Sequence, residues 1–280
     1  ERPVVTNDSN LFYRNRGILL TGLSFVNLNY YKGSLIYSFG ITEDIPYGYK
    51  LQLIAGSEKN EFDKQFYIGT VLSLGKYAKF PGYMFFNSEL GSFYNHGFTR
   101  DMVVKLKLIN IGNLHRLGRY SIRIFTDIDF QSGENMSYPD SRAVINGHWN
   151  SIVSGLNREG LRGQRKLTLS FENALFTPWY VLGFKFSVFA GADFGWLWNT
   201  DNTGSRLSFY NSLGAGIKIK NESWVFETIK LGLAFLTSAP PGSGKWGMIF
   251  NGSDPAFLRS LNPGKPEVIR MDQEPVLFLD

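Results

Sequence analysis

The chain has 280 residues, of which 43% are hydrophobic and 16% aromatic, and it contains 30 glycines and no cysteine. This composition favours a β-rich architecture and excludes disulfide bonds and thiolate metal sites. The net charge of +5 is scattered along predicted strand faces and forms no basic run or basic helix, which argues against a nucleic-acid partner.

Two kinds of segment are missing from the sequence. No run of about 18 apolar residues occurs, which excludes a transmembrane helix. The first ten residues lack the basic and apolar regions of a signal peptide, so we expect an exported protein in its mature or truncated form.

Alternating polar and apolar side chains, separated by turn residues, predict about twelve strands of roughly 9–15 residues. Strands of this length cross a bilayer when tilted. The first two predicted strands are the least regular, because Ile18-Leu19-Leu20 and Leu35-Ile36-Tyr37 do not alternate. The predicted strands span 17–29, 34–41, 47–57, 66–78, 82–95, 100–111, 118–130, 165–176, 181–198, 206–220, 225–237 and 245–252.

The connections between these strands predict tight turns on one side of the sheet and longer polar loops on the other. Tight turns are predicted at 79–82, at Thr177-Pro178 and at 221–223. The longest connection, 131–164, falls on the outer side. An even number of strands would place both ends of the chain on the periplasmic side.

The two strands between 165 and 198 show the alternation most clearly. One face is apolar and aromatic, while the opposite face carries Glu172 on the first strand and Asp193 on the second. A soluble core holds such charges only at a high free-energy cost, so the pattern favours a transmembrane β-barrel wall with its apolar side chains towards lipid. The residues predicted to face lipid are Leu167, Leu169, Phe171, Leu175, Phe186, Val188, Ala190, Ala192, Phe194, Trp196 and Trp198.

The main alternative fold is a soluble β-sandwich or lipocalin-like barrel, whose strands turn their apolar faces inward. Aromatic residues near the predicted strand ends, including Trp179, Tyr180 and Trp246, favour the membrane barrel because interfacial girdles have this composition. The polar faces also carry more bases than acids, and we expect the bases to pair with Asp127, Asp129 and plugging loops. The bases are Lys105, Lys107, Arg119, Arg123, Lys218, Lys220 and Lys230.

One ordered set of motifs resembles a known family. Gly160-Leu161-Arg162-Gly163-Gln164 is followed by Ser170-Phe171-Glu172, by Thr177-Pro178, and by the run from Phe189 to Gly195. This order is similar to the BamA/TamA-type outer-membrane assembly superfamily, also called bacterial surface antigens. The resemblance implies that the 131–164 loop folds back into the barrel and that Arg162 pairs with Glu172 and Asp193.

The residue types support this predicted loop lock, which consists of Arg162, Gly163, Glu172 and Asp193. A guanidinium placed between two carboxylates on adjacent strands forms bidentate hydrogen bonds shielded from bulk water. Gly160 and Gly163 allow the tight backbone path that brings the arginine inside. The alternative is a solvated loop arginine with two ordinary lumen carboxylates.

The sequence departs from the family pattern at three places. Gln164 stands where the family usually has an aromatic residue, only about 16 residues and no POTRA domain precede the first predicted strand, and residues 253–280 extend beyond the last one. We therefore divide the chain into a periplasmic segment 1–16, a barrel 17–252 and a C-terminal extension 253–280. The predicted fold is all-β, an antiparallel up-and-down transmembrane barrel of about twelve strands, or sixteen if N-terminal strands are missing.

The resemblance implies a barrel in the outer membrane of a Gram-negative bacterium that assists the insertion or translocation of proteins. Its partners would be lipid and lipopolysaccharide, client outer-membrane proteins, and periplasmic or lipoprotein subunits. The alternative is a passive barrel anchor or pore within a larger protein or complex. No enzyme activity, cofactor or metal is predicted.

Several other motifs carry little functional weight. Gly242-Ser243-Gly244-Lys245 lacks the first glycine and the Ser or Thr of a phosphate loop. His96, His115 and His148 are too widely spaced to predict a zinc site. His148 with Ser151 leaves a lipolytic barrel enzyme as a third alternative for the function.

Overall fold

The computed structural model describes residues 16–36, 42–60, 63–136, 143–144, 162–201, 204–221, 228–238, 244–252 and 260–271. All regular secondary structure in these ranges is β-strand, which confirms the predicted all-β class. The strands are β1 (Arg16–Ser34), β2 (Thr42–Asn60), β3 (Lys64–Ala78), β4 (Gly82–Asn95), β5 (Phe98–Ile111), β6 (His115–Leu117), β7 (Tyr120–Glu134), β8 (Ala143–Val144), β9 (Arg162–Gly163), β10 (Arg165–Val181), β11 (Phe184–Asp201), β12 (Gly204–Asn221), β13 (Ile229–Ser238) and β14 (Trp246–Gly252).

Twelve of these strands form one antiparallel sheet in which almost every strand pairs with its neighbours in sequence. The order is β1-β2-β3-β4-β5-β7-β10-β11-β12-β13-β14, with the short β6 paired to β7 outside this path. The predicted up-and-down meander is therefore confirmed. Among the described residues the edge strands β1 and β14 do not pair with each other, so hydrogen bonds do not close the sheet into a barrel.

The direction of the edge strands differs from the prediction. Without β6 the path contains eleven strands, so β1 and β14 run in the same direction. The prediction that the chain enters and leaves the sheet on the same side is wrong. We call the end of the sheet that holds Arg16, Glu134 and Arg165 the long-loop end, and Gly252 lies at the opposite end.

Two local predictions are also wrong. The segment predicted at 34–41 is not a separate strand in its described part, because β1 continues unbroken to Ser34 and the chain then bends, with Leu35 at a positive φ of 56°. Thr177-Pro178 is not a turn, because it lies inside β10 at an irregularity between Phe176 and Tyr180. The ladder to β7 ends at Phe176, so the proline interrupts no pairing on that side.

The two faces of the sheet have opposite character, and we call them the apolar face and the polar face. On β10 and β11 the residues predicted to face lipid are partly or fully exposed, whereas Lys166, Glu172 and Asp193 on the other face are buried. This confirms the predicted alternation. The exposed side chains of the apolar face include Leu53, Phe66, Ile68, Leu74, Leu90, Leu106, Ile124, Phe171, Val188, Leu207, Phe209, Leu213, Ile217, Leu231, Leu233, Met248 and Phe250.

Part of the polar face is covered by residues 260–271, which we call the C-terminal segment. Its Leu261 packs with Ile45, Tyr83 and Phe85 near the opposite end, and its Ile269 and Met271 pack with Val103 near the long-loop end. The segment therefore crosses the sheet from one end to the other. Among the described residues there is no helix long and apolar enough to span a membrane.

Candidate functional site on the polar face

A buried carboxylate on β10 holds two lysines of neighbouring strands. The Glu172 side chain is 3% exposed, its Oε1 binds the ammonium of Lys218 on β12, and its Oε2 lies 2.5 Å from Nζ of Lys230 on β13. We call these three residues the Glu172 cluster. Lys218 and Lys230 are direct cross-strand partners, so two positive charges sit side by side.

Two aromatic rings border the lysines of the Glu172 cluster. Nζ of Lys230 lies 4.5 Å from the centre of the Phe189 ring, and Nζ of Lys218 lies 5.3 Å from the Phe125 ring. Aromatic faces attract such cations. Because like charges on opposed strands repel, the shared carboxylate is what makes this pairing of lysines stable.

Asp193 lies beside this cluster on the next strand. Ser170 pairs with Asp193, and Glu172 pairs with Gly191, so the two predicted acidic residues are diagonal neighbours on one face. Asp193 is 8% exposed and lies between the hydroxyl groups of its cross-strand partners Ser170 and Ser212. Neither of its carboxylate oxygens has a donor in full hydrogen-bond geometry in the described part of the chain. A buried carboxylate of this kind is costly unless a donor reaches it.

The predicted arginine of the loop lock is described only through its backbone. Arg162 pairs with Val144 in the two-stranded β8-β9 sheet, and its side chain lies outside the described residues. Gly163 is buried against Leu197 of β11, and the amide of Gln164 donates to the carbonyl of Trp198 at 2.9 Å. The returning end of the long loop thus lies against the polar face, on the strand that carries Asp193.

The predicted pairing of Arg162 with Glu172 and Asp193 stays a prediction. Asp193 is four residues from Leu197 along β11, or roughly 13 Å at the usual rise of a strand. Glu172 is farther from the loop and already engages two lysines. Of the two predicted acceptors, Asp193 is the better placed for the arginine.

The other ion pairs agree only partly with the sequence prediction. Lys107 pairs with Asp127 at 3.3 Å, as expected. Asp129 instead binds Lys166, which is almost fully buried, at 3.0 Å. Sequence reasoning assigned Lys218 and Lys230 to the polar face but missed their pairing with Glu172, because the register between β10, β12 and β13 is a tertiary property.

The described residues hold no group of three histidine or acidic side chains placed to bind a metal ion. His148 and Ser151, the candidate residues of the lipolytic-enzyme alternative, lie outside the described ranges. The polar face therefore offers charge pairs and polypeptide contacts, and we find no catalytic constellation on the described part of it. The sequence matches no protein-family model, and no characterised protein is significantly similar to it.

Proposed function

We propose that the chain is an outer-membrane β-barrel of the surface-antigen type that assists the insertion or translocation of proteins. The observation that carries the membrane location is the inverted sheet, with large apolar side chains exposed on one face and charged side chains buried on the other. Soluble sheets bury the apolar face, whereas a barrel wall in lipid exposes it. The order of motifs from Arg162 to Asp193 supports the choice of family.

Exposed aromatic residues add to the argument for a membrane wall. Trp179 and Tyr180 are exposed near the opposite end of the sheet, and Trp246 is exposed at the start of β14 near the long-loop end. Tryptophan and tyrosine prefer the two interfaces of a bilayer, where one part of the ring is apolar and the other is hydrated. Their positions suit two girdles around an apolar band.

The edges of the sheet support the proposal of an assisting role. Strands β1 and β14 run in the same direction, and a parallel seam is slightly less stable per residue than an antiparallel one. An edge with unpaired backbone groups adds an incoming strand by hydrogen bonding. A seam between β1 and β14 would thus serve as a lateral gate for client strands.

The test locks this seam. Leu19→Cys on β1 and Met248→Cys on β14 place thiols on exposed positions of the two edges in a chain that has no cysteine of its own. The protein is reconstituted in liposomes, treated with bismaleimide linkers of several lengths, and supplied with an unfolded eight-stranded outer-membrane protein as client. We expect the uncrosslinked protein to accelerate client folding and the crosslinked protein to lose that acceleration.

A passive anchor is the second candidate, because the C-terminal segment already covers part of the polar face. A stable barrel that leaves client folding at the rate of empty liposomes, whether or not it is crosslinked, would support the anchor and contradict the assisting role. Single-cysteine variants treated with the same linkers control for modification of the edges.

A further inference from the structure

The C-terminal segment lies in a track on the polar face that is lined by six strands, β1 to β5 and β7. Glycines on β1, β3, β4 and β7 leave room for it: a Cβ added at Gly22, Gly75 or Gly91 would lie 3.1 Å from the segment, and one added at Gly133 would lie 2.4 Å from it. A side chain at these positions would fill the space that the segment occupies. The glycines of the sheet therefore leave the space in which the segment lies.

The polar contacts in this track recognise the backbone of the segment. Lys50 Nζ donates to the carbonyl of Asn262 at 3.4 Å, Gln52 Nε2 to that of Gly264 at 3.1 Å, and Ser73 Oγ to that of Ser260 at 3.4 Å. The hydroxyl of Tyr67 accepts the amide of Ile269 at 2.8 Å. Every polypeptide carries these carbonyl and amide groups, so the four contacts recognise backbone and not a particular sequence. Two of the contacts reach Ser260 and Asn262, which lie in a turn at the start of the segment.

Apolar side chains anchor both ends of the segment. Leu261 is fully buried among residues of β2, β4 and β5. At the other end, Ile269 and Met271 are buried beside Val103, and the Ile269 amide donates to Tyr67. Between them, Lys265 and Glu267 are mostly exposed and contribute a solvated ion pair. The track thus takes a peptide with apolar residues at both ends, the first of them in a turn, and tolerates polar residues between them.

From these contacts we infer that the polar face of β1 to β5 and β7 is a binding site for polypeptide, which the chain's own C-terminal segment occupies in cis. A peptide from another molecule binds the same track when that segment leaves. This inference stands apart from the proposed membrane role, because it rests on the contacts of residues 260–271 alone.

The experiment measures binding of a fluorescent peptide with the sequence of residues 259–272 to the purified full chain in detergent micelles. In the double variant Leu261→Asp/Ile269→Asp, the protein's own segment loses one buried anchor at each end while the track stays intact. We expect this variant to bind the peptide at least tenfold more tightly than the wild type, whose track is occupied. The matched control Lys265→Ser/Glu267→Ser alters only exposed side chains of the segment and should behave as the wild type does.

The peptide itself reports how the track recognises it. Replacing its four polar side chains that correspond to Asn262, Lys265, Glu267 and Arg270 by serine should leave its affinity within a few-fold. Methylating the amide nitrogen that corresponds to Ile269 removes the donor to Tyr67 and should weaken binding, and aspartate at the two anchor positions should abolish it. A peptide whose binding ignores all three changes would contradict the assignment.

Cleavage by trypsin within residues 260–271 shows whether the segment has left the track. Rapid cleavage of the double variant without peptide binding would overturn the inference, and continued protection would show that Leu261 and Ile269 are not its anchors. A second variant, Gly22→Cys/Pro266→Cys, joins the segment to β1, because a Cβ at Gly22 would lie 3.1 Å from Cβ of Pro266. This variant is tested with a peptide that carries glycine in place of Pro266, which makes room for the new side chain at Gly22. In the double-variant background we expect this peptide to bind when the pair is reduced and to bind at least tenfold more weakly when it is oxidised.

Discussion

At the scale of single residues, the polar face depends on a carboxylate shared by two cations. Glu172, Lys218 and Lys230 come from three strands, and removing Glu172 takes from both ammonium groups the carboxylate that they share. Removing the shared charge from such a group lowers the free energy of unfolding much more than replacing the whole group by neutral side chains of similar size. The Glu172 cluster therefore constrains which strands lie together.

We predict that Glu172→Gln lowers the free energy of unfolding by about 3–5 kcal/mol, because both ammonium groups lose their shared carboxylate. Urea unfolding in detergent micelles, followed by tryptophan fluorescence, measures the change. The control is Glu134→Gln, which breaks the half-exposed pair with Arg165 and should cost less than about 1 kcal/mol. The triple variant Glu172→Gln/Lys218→Met/Lys230→Met should recover most of the loss, and equal effects of Glu172→Gln and Glu134→Gln would contradict this account.

The predicted loop lock can be tested through the energetic coupling of two of its residues. If Arg162 reaches the buried carboxylate of Asp193, the variants Arg162→Met and Asp193→Asn should be coupled by about 0.5–3 kcal/mol in a double-mutant cycle of unfolding free energies. The same cycle with Arg165→Met, whose arginine pairs with Glu134 at the surface, should be additive. Additivity of both cycles would leave Arg162 as a solvated loop residue.

At the scale of elements, the hairpin of β10 and β11 shows what the sequence reveals and what it hides. Alternation alone predicts both strands and both faces, because successive side chains of a strand point to opposite sides of the sheet. The turn between them was predicted at Thr177-Pro178, where turn residues stand, but the strands continue to Val181 and Phe184. The actual turn, Leu182-Gly183, has positive φ values of 49° and 83°, and leucine gives no local signal for it.

This turn is also a place to stabilise the molecule. A two-residue hairpin loop with positive φ at both positions favours Asn-Gly, and leucine in the left-handed region is strained. We predict that Leu182→Asn raises the free energy of unfolding by roughly 0.5–1 kcal/mol. As controls, Leu182→Ala keeps the steric penalty and should give no gain, and Gly183→Ala should lower the free energy of unfolding. If Leu182→Ala stabilised the protein as much as Leu182→Asn, the cause would be loss of the exposed leucine and not relief of backbone strain.

At the scale of the whole molecule, local sequence patterns predict the sheet but not how its parts meet. Alternation identifies the class, the meander and the exposed face, because each depends on neighbouring residues only. The odd number of strands in the path, the register that brings Lys230 to Glu172, and the path of residues 260–271 depend on contacts far apart in sequence. The segment's polar contacts use backbone groups, which leave no pattern in its side chains.

The last prediction tests the proposed membrane location, and the apolar face offers a matched pair of sites on one strand. Leu213 lies in the middle of β12 and Leu207 near its long-loop end, and both side chains are about half exposed on the same face. An arginine in the centre of a bilayer costs about 2–4 kcal/mol and one near the interface about 0–1 kcal/mol. In lipid vesicles, Leu213→Arg should therefore destabilise the protein far more than Leu207→Arg, as measured by urea unfolding. In a soluble sheet both side chains already face water, so equal and small effects of the two substitutions would exclude the membrane wall.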